Sequence, residues 1–335
     1  MAFRTVCAAV AAVLALAGAA TAQDRPVVFT ASGPVRGVIE NGAGVFKGIP
    51  FAASTAGARR WTPPVAPTPW TEPRDASDYG PICPQPARPD GQLAAGGGRP
   101  QSEDCLSLNI WSPKGAKAVP VMVWIHGGAH RVGSGAGAVY DGGAFARDGV
   151  VLVTLNYRLG GLGYFAHPAL TKAAGPNEPL GNYGAMDQMA ALAWVKKNIA
   201  AFGGDPRNVT VFGESAGGAS ILALLATPKA KGLFDKAIVE SGGGWQAGGS
   251  LAEEERKGLA RATAAGVAGP DASLEQLRAI PPDKLTDMSG GIGSVGPFID
   301  GRLITQSPRR AFLSGTAIDV PLIIGSNSYE ASLMR

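Results

Sequence analysis

A chain of 335 residues can hold one large domain or two ordinary ones, with ample length for a sizeable core. Its composition, 45% hydrophobic and 17% charged, is that of a globular, soluble protein. A formal net charge of +4 is small for this length and gives no reason to expect a nucleic-acid partner. Residues 1–22 read as a signal peptide. Arg4 supplies the positive start, an apolar stretch runs from Val6 to about Gly18, and Ala20-Thr21-Ala22 is a cleavage signal. The apolar run is short for a bilayer span, so the expected product starts at Gln23 and is exported, periplasmic or secreted, without stable membrane insertion. Cys7 leaves with that segment. Cys83 and Cys105 then remain as an even pair in an oxidising compartment, either bridged across the Gly- and Pro-rich stretch between them or kept as two buried thiols.

Beyond Gln23, short apolar runs alternate with turns. Val35–Ile39 and Val45–Phe46, before Gly48-Ile49-Pro50, predict an antiparallel hairpin or meander. Leu106–Trp111, Val119–Ile125 and Val150–Asn156 are near-continuous apolar runs, the pattern of parallel strands buried on both faces. Met186 to Ile199 predicts a helix, with Met186, Met189, Ala190, Ala193 and Trp194 at helical spacing and Lys196-Lys197 near its end. Val209–Phe212 is the next strand, Ala216–Ala226 a small, apolar, buried helix, and Ala237–Val239 a strand again. A charged amphipathic helix opens at Glu253, and a second begins near Ser273, whose spacing to Gln276 suits a capping box. Val320–Gly325 completes the series as a buried strand. The alternation predicts an α/β fold with a mostly parallel central sheet and helices on both faces.

Ser215 lies in Gly213-Glu214-Ser215-Ala216-Gly217, with a strand running into the pentapeptide and a helix directly after it. That strand–turn–helix context is what a nucleophile elbow requires. A serine hydroxyl is a poor nucleophile near neutral pH and needs a positioned base. The run Trp124-Ile125-His126-Gly127-Gly128-Ala129-His130 ends a buried strand in a small-residue loop. Such a loop can aim backbone N–H groups at the oxyanion of a tetrahedral intermediate, together with the N–H of Ala216. The three histidines, His126, His130 and His167, all precede Ser215, whereas the order in α/β-hydrolases is Ser, then Asp or Glu, then His. His126 reads as a loop-packing residue, His130 as a wall residue, and His167 as part of an ordinary loop before Pro168.

On these motifs the chain resembles the type-B carboxylesterase/lipase family. FGGDPRNVTVFGESAGG around Ser215, SEDCLSLNIW around Cys105 and WIHGGAH at the loop carry the resemblance. It spans essentially all of residues 23–335 and implies an α/β-hydrolase domain there. It further implies Ser215 as nucleophile, Gly128, Ala129 and Ala216 as oxyanion donors, Glu330 as the acid that orients the histidine, Glu214 and Ser241 beside them, and a Cys83–Cys105 disulfide. His130 stands where the family usually has an aromatic. The substrate class implied is a small-molecule carboxylic ester, with no metal or organic cofactor. The missing histidine would lie roughly 100 residues beyond the acid, which makes the chain an N-terminal fragment of a longer esterase, inactive as written. A non-catalytic binding or adhesion-type member of the same fold is the alternative.

Overall fold

The computed structural model describes residues 25–86, 98–246, 248–286 and 294–330; the segment read as a signal peptide lies outside the described residues. Its strands are Val27–Thr30 (β1), Gly33–Arg36 (β2), Val38–Glu40 (β3), Ala43–Pro50 (β4), Arg74–Asp75 (β5), Ser107–Ser112 (β6), Val119–Ile125 (β7), Val151–Leu155 (β8), Gly204–Glu214 (β9), Lys236–Glu240 (β10), Gly248–Ser250 (β11), Phe298–Ile299 (β12) and Leu322–Gly325 (β13). The main sheet runs β13-β10-β9-β7-β8-β6-β4-β3. Pairings from β13 through β8 are parallel, and those from β8 through β3 are antiparallel.

Side chains of the inner strands alternate between two cores, as the two-residue period of a strand requires. Val121, Val123 and Ile125 of β7 join Val151, Val153 and Leu155 of β8 on one face. The helices Tyr183–Asn198 and Ala216–Leu225 cover that face through Leu192, Val195, Ile221 and Leu222. Trp111, Trp124, Leu152 and Phe212 point the other way, against Ala146 of the helix Gly143–Arg147. Both faces of the inner strands are therefore buried, which is why their sequences are apolar without alternation. A separate cluster joins Trp61, Phe165 and Tyr183 to Ala262 of the helix Leu251–Ala264 and Leu277 of the helix Leu274–Arg278. Both of those helices open with capping boxes, Ser250 with Glu253 and Ser273 with Gln276.

Several expectations need correction. The run Val35–Ile39 is cut at Gly37, so that β2 pairs with β1 and β5 while β3 pairs with β4 in the main sheet. A Cβ at Gly37 would stand 2.4 Å from the Val45 carbonyl oxygen, so the backbones meet too closely there for a side chain. Strand β6 is fully buried as expected, yet antiparallel to both neighbours. On the helix Tyr183–Asn198, Met186 and Trp194 are buried as expected, but Ala193 faces solvent, and Asp187, Gln188, Ala191, Leu192 and Val195 are buried as well. Asp187 is carried inside by a bidentate pair with Arg158, at 2.8 and 2.7 Å. β13 is an edge strand rather than a buried one, with Ile323 67% and Ile324 46% exposed. His167 is more than loop: its Nδ1 accepts the Ala169 N–H and caps the helix Pro168–Ala173. Cys83 and Cys105 are joined in a disulfide.

Candidate active site

Strands β7, β9, β10 and β13 are parallel, so their carboxyl ends open at one edge of the sheet, where ligand sites of α/β folds form. β7 delivers the loop 126–130, β9 delivers Ser215, β10 delivers Ser241, and β13 leads to Glu330. The register ties the ends together: the Ser215 N–H donates to the Glu240 carbonyl at 2.9 Å, and the Ser241 N–H to the Gly325 carbonyl at 2.8 Å.

Ser215 has φ 54° and ψ −118°, a conformation that L-residues rarely adopt. The turn is held by close packing on the end of β7. A Cβ at Gly213 would stand 2.6 Å from the Ile125 carbonyl oxygen, and one at Gly217 only 2.0 Å from it. Gly127 is equally constrained, since its Cβ would lie 2.9 Å from Glu214 Oε2 and 3.3 Å from the Ser215 Cβ. Ala129, His130, Ser215 and Ser241 all have φ between +49° and +58°, so strained non-glycine residues concentrate at this edge.

Among the described residues, the N–H groups of Gly128 and Ala129 and that of Ala216, at the start of its helix, have no hydrogen-bond acceptor. Ser215, Ala129, Ala216, His130 and Trp245 line one cavity of about 660 Å³, floored by small residues such as Ala219. A half-buried hydroxyl, unpaired donors and a half-open cavity together suit an acyl group with developing negative charge on oxygen.

Ser241 and Glu330 are brought together. The Ser241 hydroxyl donates to Glu330 Oε1, which also accepts the Asn327 N–H at 2.7 Å. Those donors, the Ser241 hydroxyl first, hold the Glu330 carboxyl below its ordinary pKa, so it stays ionised. Glu214 is shifted the other way, by burial first and then by the nearby charges of Glu330 and Glu240. None of the three histidines is bonded to Ser215. His126 Nδ1 donates to the Gly127 carbonyl at 2.8 Å and its ring stacks on Tyr157. His130 Nε2 lies 2.9 Å from Ser220 Oγ. Burial pulls both rings down to a pKa of about 4, so they are neutral near pH 7. Among the described residues, no cluster of His, Cys, Asp and Glu is placed to hold a metal ion, and no helix is long and apolar enough to cross a membrane.

Trp245 and Gly296 of the cavity wall, and the close packing of Gly127, escaped the sequence reading. The run Gly242-Gly243-Gly244-Trp245 was legible only as a loop, and nothing local marks which loop residues turn toward a distant serine.

Comparison with known proteins bears on the same residues. The carboxylesterase family pattern matches residues 24–335. The chain is 42% identical over 325 residues to the fumonisin B1 esterase of Sphingopyxis macrogoltabida, covering 93% of this chain and 57% of that protein. It is 41% identical over 320 residues to the para-nitrobenzyl esterase of Bacillus subtilis (strain 168), covering 92% of this chain and 63% of that one. A solved PNB esterase structure superposes with a TM-score of 0.85 at 39% identity, over 93% of this chain and 64% of that one. The α/β-hydrolase fold expected from the motifs is the fold of that structure. The chain thus spans about six tenths of the length of these relatives.

Proposed function

The chain belongs to the carboxylesterase family, and on that premise we propose that it carries the nucleophilic half of an exported serine hydrolase of carboxylic esters. The observation that supports this most is the strained Ser215 turn, set in one cavity with three backbone donors that have no acceptor among the described residues. In this reading Ser215 Oγ attacks the ester carbonyl carbon and forms a C–O bond while its proton passes to a histidine. The oxyanion rests on the N–H groups of Gly128, Ala129 and Ala216. The histidine then protonates the departing alcohol as its C–O bond breaks, and water cleaves the acyl-enzyme by the same steps in reverse.

Glu330, ionised and fixed by Ser241, orients that histidine. Since His126 and His130 are buried, neutral and bonded elsewhere, and His167 caps a helix, we place the base in sequence beyond Arg335. The 335 residues alone should then show only the residual catalysis that oxyanion donors give without a complete triad. Export follows from residues 1–22 and agrees with the Cys83–Cys105 bridge, a bond that persists in oxidising compartments.

The test is steady-state hydrolysis of para-nitrophenyl acetate by the full-length gene product and its Ser215→Ala variant. The reading expects turnover that falls at least about 10³-fold on substitution. Turnover that survives in Ser215→Ala, or a folded wild type with none, would favour the non-catalytic binding member of the fold or another nucleophile.

A further inference from the structure

The proposed reaction uses the backbone of Ala129 and leaves the imidazole of the next residue without a task. His130 is 5% exposed, yet it touches the cavity that holds Ser215. Its Nε2 lies 2.9 Å from Ser220 Oγ, and Gln188 Nε2 donates to the same oxygen at 3.0 Å. Ser220 belongs to the helix Ala216–Leu225 that Ser215 opens, and Gln188 to the helix Tyr183–Asn198. The His130 carbonyl accepts the Gly160 N–H at 2.8 Å. Tyr157 and Tyr164 flank the ring edge-on, at centroid distances of 6.3 and 5.2 Å. On its other side a Cβ at Gly296 would come within 2.8 Å of Nδ1, so the ring packs where only glycine leaves space for it.

The Ser220 hydroxyl oxygen accepts the Gln188 amide proton and is also bonded to His130 Nε2, the direction of that second bond following the tautomer of the ring. The imidazole therefore ends a chain that begins on one helix, passes through the nucleophile's own helix and reaches the loop of the oxyanion donors. Ala129 and His130 both sit at left-handed φ, +56° and +58°, a conformation that relaxes unless neighbours over-determine it.

Resting on the esterase reading, we propose that His130 is a positioning residue: its hydrogen bond to Ser220 clamps the loop 128–130 to the helix of Ser215, so that the N–H groups of Gly128, Ala129 and Ala216 converge on one oxyanion. A clamp of this kind acts only when the oxyanion forms. Losing it lowers kcat and leaves substrate binding almost unchanged. Removing a whole oxyanion donor costs on the order of 10²–10³ in kcat, so misaligning two should cost roughly 10- to 100-fold.

The experiment measures kcat and KM for para-nitrophenyl acetate with the full-length gene product and its His130→Phe, His130→Gln, Ser220→Ala and His130→Phe/Ser220→Ala variants, each checked for folding by its melting transition. His130→Phe keeps an aromatic wall without the bond, whereas His130→Gln places an amide near the Nε2 position. The expected result is a kcat about 10- to 100-fold lower in His130→Phe and in Ser220→Ala, with KM within about threefold. The double variant should be no worse than the worse single, because both remove one link, and His130→Gln should recover part of kcat. A kcat within about twofold of wild type in folded Ser220→Ala overturns the clamp, even if His130→Phe does not fold. So does a change confined to KM, which would make His130 a wall of the substrate cavity. An inactive wild type overturns the esterase reading itself and takes the clamp with it.

Discussion

At the scale of single residues, the site is built from conformations that the chain adopts only under constraint. Ser215 at φ 54° and ψ −118° is the sharpest case, because glycine would occupy that turn without cost. Strain of this kind is worth about 1–3 kcal/mol per residue. Ser215→Gly should therefore raise stability by about 1 kcal/mol in urea unfolding while removing the hydroxyl on which the proposed chemistry depends. A variant less stable than wild type would mean that the Ser215 side chain contributes more than its backbone costs. The serine was legible because a strand and a helix bracket it in the sequence. Trp245 and Gly296 were not, because their loops carry no chemistry of their own and meet Ser215 only through the fold.

Among elements, hydrophobicity reports burial poorly at an edge and strand direction not at all. The apolar run at 320–325 looks like those of β7 and β8, yet β13 is exposed because no described element covers it. β6 is as fully buried as β8, but it runs antiparallel to both its neighbours because its direction follows from the connections on either side. Glycines were more informative where two backbones touch. Gly217 is the second residue of the helix after Ser215, and a methyl group there would stand 2.0 Å from the Ile125 carbonyl oxygen. Gly217→Ala should force β7 and the Ser215 turn apart. The expected cost is at least about 2 kcal/mol in chemical denaturation, with loss of any Ser215 reactivity. An unchanged denaturation midpoint would show that the two elements separate without penalty.

For the whole molecule, titration joins the site to stability. His126 and His130 have pKa values of about 4 against an ordinary 6.5, because burial disfavours their charged forms. Between those values the unfolded chain binds protons that the folded chain refuses. Their contribution is therefore complete above about pH 6.5 and is lost as pH falls toward 4. Burial raises Asp187 and Glu214, which act in the opposite sense as pH falls, so a difference measurement is needed. His126→Phe keeps a ring against Tyr157 and removes one titration. Its melting temperature should fall less than that of wild type between pH 6.5 and 4.5, and an equal fall would mean that His126 is protonated in the folded state.

The α/β order of the molecule was legible because buried strands and helices repeat in alternation. The pairing of β2 and β3 with different sheets was not, since it turns on one backbone contact at Gly37. The central claim, that this edge of the sheet presents an activated serine, is tested most directly by treating the full-length gene product with a fluorophosphonate and mapping the adduct by peptide mass spectrometry. The account predicts one adduct, on Ser215, absent from Ser215→Ala. A folded protein that takes no label, or takes it on another residue, would contradict it.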